Sequence, residues 1–482
     1  RRKLAKHYVA VGYVTGARDH LRGLLNPTEG GNPNDAELLE LYAACELREH
    51  KTESGLAYLE RAVKTGKATA DTYLRLAVLL RNEGKTPEAT ERADAVMAEL
   101  VAARPDDISA RLARVKYRSA TGDRKLARAD ADHALRLPGG RQNPDVLLAV
   151  AELAAADNDL ATAKDVLTAG VNASPDNVRL RVMLADVLGK QNDPAAAAKT
   201  LREAADRIKE PTAQLLEIAD KLIDVGDLTT PADHAARLAA DPATKQMGDY
   251  LAGRLKLAEG NWPAALPLLQ KAASALDRTP GYEFKARLAI GQCFALANNP
   301  DQQNAAYAAA VKMSAASAPA RLGQADALAK LGQTHSAIEL YQTLVNQIPG
   351  TRAAIARLKL AEVLAKPEAE RNWSAFDEAC GPKPYTADVH LVRAKALVAR
   401  QKSADAEKLL AEIIAAGIED PRPRVALASL RGNRDPDAGL AVIAEAEAKL
   451  GDRVDLRLAK AQLLCRTAGR DGKPILALAE NA

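Results

Sequence analysis

Aromatic side chains are scarce in this 482-residue sequence: only 3% of the residues are Phe, Trp or Tyr, and only two are Trp. A large single core normally draws much of its bulk from aromatic rings. Here Leu, Ala, Val and Ile must supply nearly all of the packing. Because small side chains let helices approach closely, this composition favours many thin helix contacts over one thick core.

Three further absences argue against disulfide-rich or zinc-binding, membrane-spanning and nucleic-acid-binding proteins. The four cysteines, Cys45, Cys293, Cys380 and Cys465, form no C-x-x-C pair, which argues against a disulfide framework or a zinc site. No apolar run approaches the roughly 18 residues needed to span a bilayer. The 67 basic and 63 acidic residues are interspersed and leave a net charge of +4, so the sequence shows no electrostatic footprint for nucleic acid.

Motifs for catalysis and cofactor binding are also missing. The stretch EGKT lacks the earlier glycine and the preceding strand of a phosphate-binding loop. None of the seven histidines lies in H-E-x-x-H, and no G-x-S-x-G is present. We therefore predict a non-enzyme that has no catalytic, cofactor-binding or metal-binding residues in this chain.

What the sequence does contain is a repeat. Candidate helix starts recur about every 35 residues, in the range of helical-pair repeats. Many of the starts carry Asp or Thr, which are good residues for capping the first turn of a helix. The starts are Asp35, Asp71, Asp107, Asp145, Asp176, Thr212, Thr244, Tyr282, Ala318, Thr351, Thr386, Pro421 and Arg453.

Each period divides into two amphipathic helices joined by a short turn, as in ADTYLRLAVLLRNEG followed by TPEATERADAVMAEL. Leucines and alanines lie three and four residues apart in both halves, which places them on one face of each helix. Neither helix can bury that face alone. Stacked pairs of helices can bury it, and each large apolar side chain that becomes fully buried stabilises the fold by roughly 1.5–3 kcal/mol. The sequence therefore predicts an all-α solenoid with nearest-neighbour contacts.

The pattern resembles the tetratricopeptide repeat, a 34-residue helix–turn–helix unit with small residues at positions 8, 20 and 27 and larger apolar residues at 4, 7, 11 and 24. Within ARLGQADALAKLGQTHSAIELYQTLVNQIPG, Ala325 and Ala337 take positions 8 and 20, and Tyr341 takes position 24. Gly332 is at position 15, where a left-handed cap suits glycine. The resemblance implies a right-handed superhelix of about 13 antiparallel hairpins.

Departures from the pattern suggest a division of the array. We predict an N-terminal hairpin and loop over residues 1–34, a main array over 35–350 and C-terminal repeats over 386–482, of which the last is incomplete. Residues 351–385 read as an irregular repeat with a kink, because AKPEAERNW lengthens the inter-helix loop and the second helix is short.

The candidate binding surface follows from the resemblance, which places the first helices on a concave face with position 9 directed into it. Charged side chains at position 9 cannot serve the hydrophobic face, so we expect them to meet solvent or a ligand. Position 9 is acidic in three successive repeats, at Glu152, Asp186 and Asp220. We therefore predict an acidic stripe that accepts basic or amide groups. The predicted groove residues are Lys116, Glu152, Asp186, Asp220, Arg254, Gln292 and Asp326.

Three functions fit these observations. The leading hypothesis is a non-catalytic protein-interaction scaffold, and the resemblance extends to bacterial arrays that serve envelope, secretion or polysaccharide-export assemblies. A second is the repeat arm of an enzyme whose catalytic domain lies outside this chain. A third is an RNA-binding helical repeat, which the leucines at position 5 and the acidic stripe oppose.

The expected partners are proteins or peptide segments, with basic groups as the favoured chemistry, and we expect no nucleic acid and no membrane span in this chain. The sequence begins with RRK rather than Met, and these residues suit the basic flank of an anchor upstream of Arg1 as well as a simple boundary. Cytoplasm and periplasm both remain open, with or without such a tether.

Overall fold

The computed structural model describes residues 1–84, 86–276 and 281–467. Within these ranges the chain folds into α-helices, three short 3-10 helices and connecting turns, and no β-strand occurs among the described residues. Contacts along the chain define two compact units, Arg1–Leu251 and a second that begins at Ala252. The predicted all-α repeat is confirmed.

The first unit contains seven helical hairpins, and an eighth hairpin begins within it. These helices are α1 (Arg2–Val11), α2 (Val14–Leu25), α3 (Ala36–Arg48), α4 (Thr52–Lys64), α5 (Ala70–Gly84), α6 (Pro87–Ala103), α7 (Ile108–Thr121), α8 (Arg124–Arg136), α9 (Pro144–Ala156), α10 (Leu160–Ala173), α11 (Val178–Lys190), α12 (Pro194–Ala205), α13 (Ala213–Asp224), α14 (Thr230–Ala240) and α15 (Lys245–Ala258).

The second unit continues the same alternation of first and second helices. It contains the end of α15, then α16 (Trp262–Ala273), α17 (Tyr282–Leu296), α18 (Pro300–Met313), α19 (Ala318–Lys330), α20 (Thr334–Leu344), α21 (Thr351–Leu364), α22 (Trp373–Ala379), α23 (Ala387–Ala399), α24 (Ser403–Ala415), α25 (Pro421–Gly432), α26 (Pro436–Leu450) and α27 (Val454–Thr467).

The predicted helix starts coincide with the starts of the odd-numbered helices from α3 to α27 to within about two residues. Side-chain caps explain this agreement. The backbone N–H of Leu38 donates to the Asp35 carboxylate, and the N–H of Ser109 donates to Asp107. Capping of this kind satisfies backbone donors that the first turn of a helix leaves unpaired.

In most hairpins the turn between the two helices contains one residue in the left-handed conformation. It occupies position 15 of the repeat in eight hairpins, where glycine and asparagine tolerate a positive φ better than other residues. These residues are Gly122, Asn158, Asn192, Gly226, Gly260, Asn298, Gly332 and Gln401, with φ between 51° and 86°. The predicted cap at Gly332, with a φ of 75°, is confirmed.

Small residues lie where helices cross, as the repeat pattern predicts. Ala325 and Ala337 are fully buried. One close crossing brings the ring of Tyr307 against Gly291 and Gly323, and a Cβ atom added to Gly323 would lie 2.3 Å from the Cζ atom of that ring. Burial raises the pKa of Tyr307 to about 12, so its hydroxyl stays protonated at neutral pH.

Residues 351–385 contain a shortened second helix, since α22 has only seven residues. The predicted kink and the predicted divisions at residues 34, 350 and 385 stay predictions. The expected incomplete second helix at the C-terminus lies outside the described residues. Among the helices that the structure describes, none combines the length and the apolar character needed to cross a bilayer.

Candidate functional site

The first helices form the inner face of each unit. In the first unit α5, α7, α9 and α11 contact one another in succession, whereas each second helix packs mainly against the first helices on either side of it. In the second unit the first helices α21, α23, α25 and α27 likewise contact one another in succession. Because the first helices lie closer together, their exposed side chains converge.

A cavity of about 810 Å³ opens on this inner face of the first unit, lined mainly by α5, α7 and α9. Its floor contains one leucine from each of these helices, Leu74, Leu112 and Leu148, all at position 5 of the repeat. Ala113 and Ala149 fill the spaces between them. The floor is therefore an apolar strip that crosses three repeats.

The rim of this cavity carries charges of both signs. Lys116 and Glu152 are exposed, and in the described part of the chain neither has a hydrogen-bond or ion-pair partner. Asp145 and Arg179 pair with each other across two repeats at 3.0 Å. Lys116 and Glu152 are thus rim charges that are available to a ligand, as is the exposed Arg124 at the start of α8.

Asp186 lies one repeat further along, beside a second cavity of about 420 Å³. Its carboxylate accepts a hydrogen bond from the ammonium group of Lys221 on α13 at 2.6 Å. The Asp186 side chain remains 43% exposed. This residue therefore meets solvent as expected, although its charge is already balanced by a neighbouring lysine.

Asp220 does not meet solvent. It is only 1% exposed, and its carboxylate accepts a hydrogen bond of 2.9 Å from the hydroxyl of Tyr250 on α15. The expectation that every charged position 9 residue faces solvent or a ligand is wrong for Asp220, because an aromatic side chain from the next hairpin covers it. A continuous acidic stripe over Glu152, Asp186 and Asp220 is therefore not exposed.

The remaining predicted groove residues belong to the second unit. Arg254 is half-buried on α15, and Gln292 is exposed on α17. Asp326 is exposed on α19 and accepts a hydrogen bond from the hydroxyl of Tyr341. Burial and this hydrogen bond both raise the pKa of Tyr341, which keeps the hydroxyl a donor to the carboxylate at neutral pH.

Repeat-based reasoning missed the residues at position 2. Asp71, Asp145 and Arg179 share that position, one turn before the leucines, and all three line the rim of the inner cavity. The signal was available in the repeat frame, because two positions that lie three residues apart share a helix face. Arg124, at the start of α8, completes the rim.

The arrangement is suited to holding an extended chain. An apolar strip can take side chains of a peptide, and the unpaired Lys116 and Glu152 can meet charges of opposite sign on it. Among the described residues no cluster of three or more His, Cys, Asp or Glu side chains could hold a metal ion. The inner cavity is therefore described as a surface for binding a chain, through apolar contacts and charge pairs.

Paired helices, a left-handed residue at a fixed position in eight of the turns and alanines at the crossings define the class: in its described part the chain is an all-α helical-repeat protein, and its hairpins resemble tetratricopeptide repeats. No protein-family model matches the sequence, and no curated protein is significantly similar to it.

Solved structures with a related arrangement of helices include three helical-repeat proteins. The human IFIT1 dimer with m7Gppp-AAAA is 16% identical with a TM-score of 0.40, over 85% of this chain and 91% of that one. YrrB, a TPR protein with an unusual peptide-binding site, is 20% identical with a TM-score of 0.29, over 40% of this chain and 97% of that one. A tetratricopeptide repeat protein from Parabacteroides merdae is 16% identical with a TM-score of 0.34, over 59% and 96%.

Proposed function

We propose that this protein is a non-catalytic interaction scaffold that binds an extended segment of a partner protein on the inner face of its first unit. The single observation that carries the proposal is the cavity over α5, α7 and α9, with its apolar floor and its unpaired rim charges. A solenoid offers a long surface of this kind because each repeat adds one more strip of side chains.

The partner segment is expected to carry apolar side chains spaced to meet Leu74, Leu112 and Leu148. A basic side chain on the segment would lie against Glu152, and an acidic one against Lys116. Among the described residues, Glu152 is the unpaired acidic group of this face, because Asp186, one repeat further along, is already balanced by Lys221. This keeps the predicted preference for basic segments but removes the buried Asp220 from the binding surface.

The experiment begins with selection of peptides of about 12 residues from a displayed library on the full chain. Binding of each selected peptide is then measured by fluorescence anisotropy to the wild type and to Lys116→Glu and Glu152→Lys. Each reversal is expected to weaken binding about tenfold, because it turns an attraction into a repulsion. A peptide whose basic residue is replaced by Glu should regain affinity for Glu152→Lys.

Matched controls are available on second helices, away from the inner face. Lys199→Glu on α12 and Glu91→Lys on α6 make the same charge changes at exposed positions and should leave peptide binding unchanged. Equal losses in controls and groove variants would refute a binding site on the inner face. Saturable binding of a labelled single-stranded RNA that Lys116→Glu weakens and Glu152→Lys strengthens would instead support the nucleic-acid alternative.

The cellular setting is a separate hypothesis that rests on the resemblance to bacterial arrays. We infer a role in an envelope, secretion or polysaccharide-export assembly, with the chain acting as a tethering arm. Localisation of the native protein by fractionation tests this hypothesis. Recovery in a soluble cytoplasmic fraction with no envelope partner would refute the envelope role but leave the inner-face proposal intact.

A further inference from the structure

One crossing in the first unit is built from charged side chains. Asp130 of α8 is only 2% exposed, and three arginines of α7 surround it. Arg114 binds it through two nitrogens, with Nε at 2.7 Å, and the guanidinium groups of Arg118 and Arg111 approach at 2.6 Å and 3.3 Å. The carboxylate thus accepts four hydrogen bonds, which uses its full acceptor capacity.

These arginines occupy unusual places in the repeat. Arg111, Arg114 and Arg118 take positions 4, 7 and 11, which the repeat pattern reserves for larger apolar residues. In the next hairpin the same positions hold Leu147, Val150 and Ala154, and all three are buried. In the hairpin before, they hold Tyr73, Leu76 and Leu80, which are also buried.

A single carboxylate cannot occupy all the donors of three guanidinium groups, each of which has five. In the described part of the chain, Nη1 of Arg114 and Nη2 of Arg118 have no acceptor. Both residues line a cavity of about 440 Å³ between α6, α7 and α8, which Arg81 enters from the end of α5. Arg81 uses only Nη1, toward Tyr117 and Asp94.

The charge around this cavity is positive. Arg81, Arg114 and Arg118 line it together with two acidic residues, Asp94 and Asp123. Asp130 and Arg111, which pair with each other, do not line the cavity. Asp123 is occupied as the cap of α8, and the Asp94 side chain is 57% exposed, so water screens it. Asp130 is the acidic residue buried among the arginines. Half-buried guanidinium groups with one carboxylate between three of them attract an anion.

We propose that the cavity between α6, α7 and α8 is a phosphoryl-binding site in which Arg81, Arg114 and Arg118 hold the oxyanion. Guanidinium groups that reach one space from two helices can meet several oxygens of a tetrahedral group at once, and the planar fork of each binds phosphate oxygens in pairs. The phosphoryl group could come from free phosphate or from a phosphorylated side chain of a partner. The site does not involve the inner-face cavity and is independent of the scaffold proposal.

The test uses the full chain with Arg81→Gln, because Arg81 does not contact the buried Asp130 and its loss should leave the fold intact. Inorganic phosphate, sulfate, acetate and a phosphoserine peptide with its unphosphorylated form are titrated separately by calorimetry. Phosphate should bind saturably below about 10 mM and raise the unfolding temperature. Arg81→Gln should weaken phosphate binding by about tenfold or more, since a charge-assisted hydrogen bond is lost.

Arg92→Gln on α6 is the matched control, since Arg92 is exposed, pairs with Glu60 and lies outside the cavity. It should bind phosphate like the wild type, and Arg81→Lys, which keeps the charge but loses the planar fork, should be intermediate. Tighter binding of the phosphoserine peptide than of phosphate identifies a partner as the source, and the reverse identifies the free ion. Equal binding of acetate and phosphate, equal losses in both glutamine variants, or no saturable binding would overturn the proposal.

Discussion

Two neighbouring hairpins of the first unit solve the same packing problem in opposite ways. In α9 and α10 the crossing is aliphatic, with Leu147, Val150 and Leu167 buried between the helices. In α7 and α8 three arginines and Asp130 occupy the crossing. Both hairpins nevertheless share the left-handed turn residue and an aspartate cap on the second helix.

The comparison shows which features fix the repeat and which can vary. Turn and cap residues set the backbone of a hairpin, so the chemistry between its helices can change without changing the fold. The two solutions differ in what they require. An aliphatic crossing needs only the right volume, whereas an ionic crossing needs every charged partner in place, because an unpaired buried charge is costly.

The largest effect should follow from removing the centre of the ionic crossing. Asp130→Ala leaves three guanidinium groups around an empty space and should destabilise the first unit by about 3–5 kcal/mol. Hydrogen exchange should show loss of protection in α7 and α8 before α9 and α10. Asp132→Ala is the control, because its exposed pair with Arg128 should contribute less than about 1 kcal/mol. Equal effects of the two variants would mean that the buried cluster is not important for stability.

An intermediate effect is expected from the aliphatic crossing. Leu167 is fully buried on α10, and Leu167→Ala should cost about 2–5 kcal/mol through lost burial and the cavity that remains. Unlike the loss caused by Asp130→Ala, this loss should hardly change with salt, since no charge is involved. Denaturant unfolding at low and high ionic strength measures the difference. A strong salt dependence of the stability lost in Leu167→Ala would contradict the expected difference between the aliphatic and the ionic crossing.

The smallest effect concerns the aspartate cap of α10. Hydrogen bonds from the side chain and backbone N–H of Thr162 lower the pKa of Asp159. A carboxyl group with a lowered pKa stabilises the fold above its unfolded value near 3.8, and this contribution is lost as the pH falls through its folded value. Asp159→Ala should therefore slightly lower the unfolding temperature at pH 7, and the gap should close in acid. A gap that stays constant down to about pH 2 would contradict this cause.

Much of the fold could be predicted because its signals are local. Asp35, Asp107 and Gly332 each act within a few residues of their own position, so their roles follow from the neighbouring sequence. Helical period and turn chemistry therefore sufficed to locate the helices.

The candidate site was less predictable because its state depends on residues one repeat away. Asp186 and Asp220 share a repeat position, but Lys221 balances the first and Tyr250 covers the second. Both partners lie at least 30 residues further along the chain. A repeat template assigns one role to each position and cannot express contacts that differ between neighbouring pairs. For the same reason the repeat template does not predict the arginines around Asp130.

Arginine at position 4 has a consequence for how such a chain can diverge. Arg111 and Arg181 each donate to the carbonyl oxygen of a proline six residues earlier, and Arg424 donates to that of Ile418 at the same spacing. In these three hairpins the bend before the first helix thus offers an acceptor to an arginine at this place, whereas Arg287 at the same position donates to Glu283 of its own helix. Leucine, tyrosine and arginine all occur at position 4 of the repeat. The amino-acid sequence can therefore change at this position while the helical hairpin is kept.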